Sequence, residues 1–124
     1  MIARARAAIG AAFRLHGRDP ADGQDCVGLA AHAFAVGDAP TGYALRRGDA
    51  DGVALLIAAA GLTRVAAAAD GDLLLLRAGP GQLHLGVRVP GGMVHADAGL
   101  RRVVERPGEP PWPVLAVFRM TTSD

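Results

Sequence analysis

The chain has 124 residues, about half of them hydrophobic and a fifth charged, with a formal net charge of +1. That is enough apolar material for one folded domain over 1–124 with a single core, and it excludes a disordered chain. No basic block or tail is present, so neither nucleic acid nor an anionic membrane surface is implied as a partner, and no apolar run approaches the ~20 residues of a membrane span.

In chain order, Ala3 to Leu15 reads as a helix, with Ile2, Ile9 and Phe13 at helix-compatible spacings and arginines on the other side. Its start faintly resembles an export signal, but Arg14 ends the apolar part early and no cleavage site follows, so no signal peptide is expected. His16 to Gln24 is a Gly/Asp/Pro loop, and Asp25 is placed to cap a second helix over Cys26 to Val36, stopped by Gly37. After a further loop, Val53 to Ala60 reads as a third helix ended by Gly61. The pattern then changes to strands. Leu73 to Arg77 is a short apolar run, and Leu83 to Val89 alternates, with Leu83, Leu85, Val87 and Val89 on one face and His84, Gly86 and Arg88 on the other. Pro90-Gly91-Gly92 suits a type II turn, after which Met93 to Asp97, Leu100 to Val104 and Val114 to Met120 read as strands. Helices followed by an antiparallel sheet of about five strands is an α+β layout.

Missing residue types narrow the chemistry. Without lysine there is no Walker-type phosphate loop and no Schiff-base catalysis. Ser123, the only serine, lies next to the C-terminus, where no ordered nucleophile elbow is expected. A lone cysteine forms neither an internal disulfide nor a multi-cysteine zinc site, and His84, His95 and Asp97 lack HExxH-like zinc spacing. No cofactor is implied.

Cys26 therefore draws attention. A free cysteine is often only a small buried hydrophobe. Against that, Cys26 falls in the first turn of a helix, where the macrodipole favours a thiolate. Gly28 costs that helix about 1 kcal/mol relative to alanine, which suggests close approach by another element. Asp25 beside the thiol acts in the opposite direction unless its carboxylate is occupied as the N-cap. Composition and spacing leave a reactive and a structural thiol both open.

A thiol nucleophile needs a base. His84 shares its strand face with Gly86, and a small residue there would let the cysteine helix lie close. A two-residue turn at Pro90-Gly91 would pair Val89 with Gly92 and Gly86 with His95. His95 would then stand diagonally from His84 on the same face, ~7–8 Å away at the backbone. The same register puts Asp97 opposite His84 as a rival orienting group, and a one-residue slip would reverse the faces. His16 is placed to line a cleft, and His32 reads as structural or exposed.

These residues resemble the NlpC family of papain-like bacterial cell-wall cysteine endopeptidases. The family's Asp-Cys-Ser-Gly-Leu is matched by Asp25-Cys26-Val27-Gly28-Leu29, its Gly-Asp-Leu by Gly71-Asp72-Leu73, its His-x-Gly strand by His84-Leu85-Gly86, and its apolar-His-Ala segment by Val94-His95-Ala96. The resemblance implies a papain-like fold, Cys26 as nucleophile, His84 as base and His95 as orienting residue. It implies cleavage of the D-γ-glutamyl–diamino acid amide in peptidoglycan stem peptides through an acyl-enzyme, the oxyanion being held by backbone amides including that of Cys26.

The sequence departs from the family's Pro-Tyr-x-Trp-Gly-Gly segment. Arg14 stands at the tyrosine, His16 at the tryptophan and Arg18 at the second glycine; whether Tyr43 replaces the missing hydroxyl is left open by the sequence, and Arg14 or Arg18 could pair with a substrate carboxylate. The pattern is similar to phage-tail or gene-transfer-particle peptidases, made in the cytoplasm and delivered to the cell wall by a non-standard route, with phage-tail-like or secretion-apparatus proteins as partners. Two other functions fit the same residues: a non-catalytic structural or adaptor domain of a phage-like tail, and an acyl-transfer enzyme acting on lipid or small amides.

Overall fold

The computed structural model describes residues 1–13, 18–19, 23–35 and 49–120. Among these are three α-helices: α1 (Ile2–Ala7), α2 (Cys26–Ala33) and α3 (Ala50–Ala59). There are eight strands: β1 (Arg18–Asp19), β2 (Gly23–Gln24), β3 (Leu62–Val65), β4 (Leu73–Gly79), β5 (Gln82–Val89), β6 (Gly92–Asp97), β7 (Arg102–Pro107) and β8 (Val114–Met120). β1 and β2 form a small ladder of their own. The other six build one antiparallel sheet in the order β3-β8-β4-β5-β6-β7. The class is α+β as expected, with six main strands where about five were expected. No described helix is long and apolar enough to cross a membrane.

Several boundaries move for local reasons. The first helix stops at Ala7, well short of Leu15, because Gly10 adopts φ 92° and the chain leaves the helix. The backbone then runs along β7, with Gly10 N donating to Val103 O at 2.9 Å, Val103 N to Ala11 O at 2.8 Å and Phe13 N to Arg101 O at 2.8 Å. These tertiary bonds outweigh the helix propensity of an alanine-rich segment. α3 starts three residues before Val53 because Asp49 caps it, its Oδ1 accepting from Gly52 N at 2.9 Å. The short edge strand β3 went unrecognised in the sequence. Val36 and Gly37 lie outside the described residues.

The β5–β6 hairpin has the expected register: Val89 pairs with Gly92, Val87 with Val94 and Gly86 with His95. Gly91 takes φ 80°, as the third position of a type II turn requires. The two sheet faces differ. Leu83, Leu85, Val87 and Val89 are buried in the main core with Leu73 and Leu75 of β4 and with Ala5, Leu29 and Ala33 of α1 and α2. Leu76 pairs with His84 and Leu74 with Gly86, which places the histidine face on the other side. There Leu74, Leu76, Met93 and Val117 form a smaller cluster, with Trp112 packed against it.

This arrangement corrects one expectation. The cysteine helix packs on the aliphatic face of β5, not on the His84–Gly86 face. The space that Gly86 leaves is taken by the Met93 side chain, whose Sδ and Cγ a Cβ at Gly86 would strike. At the start of β4, Asp72 is almost fully buried and receives paired bonds of 2.9 Å from Arg119 Nε and Nη2, tying β8 to β4.

Candidate active site

The site lies where the β5–β6 ladder ends. Gly86–His95 is the last pair between these strands. Beyond it, a cleft of about 320 Å³ is lined by Cys26, His84, His95, Asp97, Phe13 and Trp112 among others. Cys26 enters from the first turn of α2, while His84 and His95 come from adjacent strands on the opposite sheet face. The cleft at the strand ends brings both layers together.

Asp25 caps α2: it has extended backbone (φ −98°, ψ −174°), and its Oδ1 accepts from Gly28 N at 2.9 Å. The cap fixes where the helix begins and hence where Cys26 projects. Asp25 is buried and also lines the cleft. Cys26 keeps some exposure along the cleft, yet protein surrounds the thiol densely enough to push it up to about 12 by desolvation. The backbone N–H of Leu85 hydrogen-bonds to the sulfur and pulls the other way, as do those of Cys26 and Val27, while the Asp25 carboxylate adds to the rise. The helix terminus therefore does not make a resting thiolate, contrary to the expectation from the macrodipole alone. Desolvation outweighs the favourable dipoles.

The two imidazoles meet. His84 Nε2 lies 3.0 Å from His95 Nδ1, with ring centroids 5.1 Å apart and planes at 87°. Burial lowers His84 to about 4, the neighbouring His95 adds to the fall, and Asp97 opposes it. His95 is also lowered, chiefly by burial, with Asp97 opposing and Arg106 assisting. With Nε2 engaged by His95, Nδ1 is the other ring nitrogen of His84, whose side chain lines the cleft.

Asp97 lines the cleft but is spent locally: its Oδ1 accepts from Leu100 N at 3.0 Å, and that backbone bond leads the causes that lower its pKa. Among the described residues, the side chain of His84 hydrogen-bonds to that of His95. Arg14, His16 and Tyr43 lie outside the described residues, and of Arg18 only the backbone is described. Among the described residues, no three His, Cys, Asp or Glu side chains are grouped so as to hold a metal ion.

Among the residues that line the cleft, the two aromatic ones, Phe13 and Trp112, had been given no site role from the sequence. Phe13 was assigned to a helix face, yet the bridge between Ala12 and Arg102 carries it to the site. Trp112 was passed over as part of a proline-rich loop. Its ring stands 5.6 Å from His84 and 5.7 Å from His95, edge-on to both. The signal was present: it is the only tryptophan of the chain, held between Pro111 and Pro113.

No family model matches the chain, and no curated protein matches it either. Solved structures do. NlpC1 from Trichomonas vaginalis superposes with a TM-score of 0.68 at 20% identity, over 94% of this chain and 41% of its own length. The peptidoglycan hydrolase RipB from Mycobacterium tuberculosis gives 0.63 at 27% identity, over 98% of this chain and 63% of its own. The NlpC/p60 domain of the peptidoglycan hydrolase SagA gives 0.58 at 25% identity, over 86% of this chain and 85% of its own. The protein has the NlpC/p60 fold. It spans about two-fifths of the Trichomonas protein and under two-thirds of RipB.

Proposed function

We propose that this domain is a cysteine peptidase that hydrolyses an amide bond in the peptide stems of peptidoglycan, of the D-γ-glutamyl–diamino acid type. The observation that carries the reading is the meeting of Cys26, His84 and His95 in one cleft, with His84 Nε2 and His95 Nδ1 at 3.0 Å. The fold shared with peptidoglycan hydrolases supports the substrate class.

The groups define the steps. Burial raises the thiol and lowers the His84 imidazole, so both are neutral at rest. The proton therefore moves as the bond forms: Cys26 Sγ attacks the amide carbonyl while His84 Nδ1 takes the thiol proton. His95 orients the base by accepting from His84 Nε2–H. Backbone N–H groups at the start of α2, that of Cys26 among them, stabilise the oxyanion, a contribution of about 3 kcal/mol. Collapse of the tetrahedral intermediate breaks the C–N bond, and the departing amine takes the proton from His84. Water then attacks the thioester, giving its proton to His84, which returns it to the sulfur as the carboxylic acid leaves.

The test is mass spectrometry of peptidoglycan fragments after digestion. New fragments ending in D-glutamate and starting with a free diamino acid are expected. An unchanged digest, with a folded protein, overturns the reading in favour of an adaptor role. Cleavage of a lipid or small amide alone favours acyl transfer.

A further inference from the structure

One aromatic residue of the cleft, Trp112, touches both imidazoles yet has no place in the steps above. Trp112 lies in the segment between β7 and β8, flanked by Pro111 and Pro113, whose fixed φ angles stiffen the backbone around it. Its ring packs against Leu74, Leu76, Met93 and Val117 on the outer face of the sheet. It also meets both imidazoles edge-on, with planes at 78° to His84 and 79° to His95.

The hydrogen-bond arithmetic leaves one donor over. For His84 to present a lone pair at Nδ1, its proton must sit on Nε2 and be donated to His95 Nδ1. His95 then carries its own proton on Nε2. That atom is fully buried and has no hydrogen-bond partner among the described residues. In such a place an aromatic ring is the remaining weak acceptor, and edge-to-face contact is the arrangement in which an N–H meets a π face.

We propose that Trp112 is the positioning residue of the histidine pair: anchored in the outer-face cluster, its indole holds both imidazole planes and favours the tautomer of His95 that lets His84 act as base. This role rests on the proposed function of the site but can be tested apart from it. The same ring screens His84 from water, which fits burial as the leading cause of its lowered pKa. Among the described residues, the titratable and charged groups that face the pair are Cys26 from α2, Asp25 that caps it, Asp97 from β6 and Arg106 from β7. None of them is altered by changes at position 112.

The experiment compares Trp112→Leu, which keeps apolar packing on the outer cluster but removes the ring, with Trp112→Phe, which keeps a ring. Histidine ¹⁵N spectra across pH report tautomer and titration without any turnover. In the Leu variant, His95 is expected to lose its single tautomer, and the His84 midpoint to rise from about 4 toward the ordinary histidine value. On muropeptides, kcat should fall about 10-fold with KM within about two-fold, and Phe should restore most of both effects. Wild-type tautomer and titration in the Leu variant overturn the proposal, as does a change in KM alone, which would make Trp112 a substrate contact only. If the wild type cleaves no muropeptide, the functional reading fails while the spectra still decide the role of Trp112. If the Leu variant does not fold, the Phe variant decides: retained tautomer supports the proposal, and a mixed tautomer with intact fold contradicts it.

Discussion

Strand β5 has two unlike faces. Leu83, Leu85, Val87 and Val89 are all buried under the helices. His84 and Gly86, one residue out of step, face a smaller cluster of Met93, Leu74, Leu76 and Trp112. The first face holds the sheet to its helices through apolar area. The second supplies an imidazole pair whose protonation is set by burial. The same backbone registers both, so the strand that packs on the helices also sets His84 within a hydrogen bond of His95. The cysteine belongs to the helix layer and reaches the histidine side only because the β5–β6 ladder stops at Gly86–His95.

Substitutions on the two faces should therefore separate activity from stability. The largest effect is expected at the proposed nucleophile: Cys26→Ala should lower muropeptide turnover by about 10⁴-fold or more, with an unchanged melting temperature and circular dichroism spectrum. His84→Ala should cost about 10³-fold in kcat, again with little change in stability, because it removes the proposed base but no part of the main core. On the other face of the same strand, Leu85→Ala should destabilise the fold by about 3 kcal/mol in denaturant titration, through the cavity it leaves among the core aliphatics.

Acidity sharpens the contrast. The His84 pKa is lowered to about 4 from an ordinary 6.5, so the unfolded chain binds a proton before the folded one does. That contribution to stability is fully present above about pH 6.5 and is lost as the pH falls toward 4. Cys26 is raised from 9.0 to about 12, so its contribution is present below 9.0 and is lost as the pH rises through 12. Melting temperature against pH should have a plateau between these windows. For activity, the acid limb of kcat/KM should lie near 4, where His84 protonates, not near 6.5. Alkylation of Cys26 at mildly acidic pH should be slow, since the thiol is neutral at rest.

Much of this was legible in the sequence, for specific reasons. The register of β5 on β6 follows from the two-residue turn at Pro90-Gly91, and the placement of His95 beside His84 follows from the register. Asp25 as the cap of α2 is a local rule that tertiary structure did not override. Which face of β5 the helix covers was not legible, because alternation defines two faces without saying which one α2 occupies. Gly86 looked like room for a helix and turned out to be room for Met93. The early end of α1 was hidden because alanine and arginine favour helix, whereas the bonds of residues 10–13 to β7 are non-local. Trp112 joins the histidines from a distant loop, and periodicity carries no signal of such a meeting. The raised thiol pKa is of the same kind, since desolvation depends on everything packed around the sulfur.

The central claim is that the Cys26 sulfur becomes covalently acylated by a peptidoglycan stem with help from His84. The direct measurement is rapid quenching of the protein with muropeptide, followed by intact mass and peptide mapping. The account predicts a thioester adduct of the acyl fragment on the Cys26 peptide, accumulating further when deacylation is slowed at low pH. Fragment release that continues unchanged after Cys26 has been blocked by carboxymethylation would contradict it.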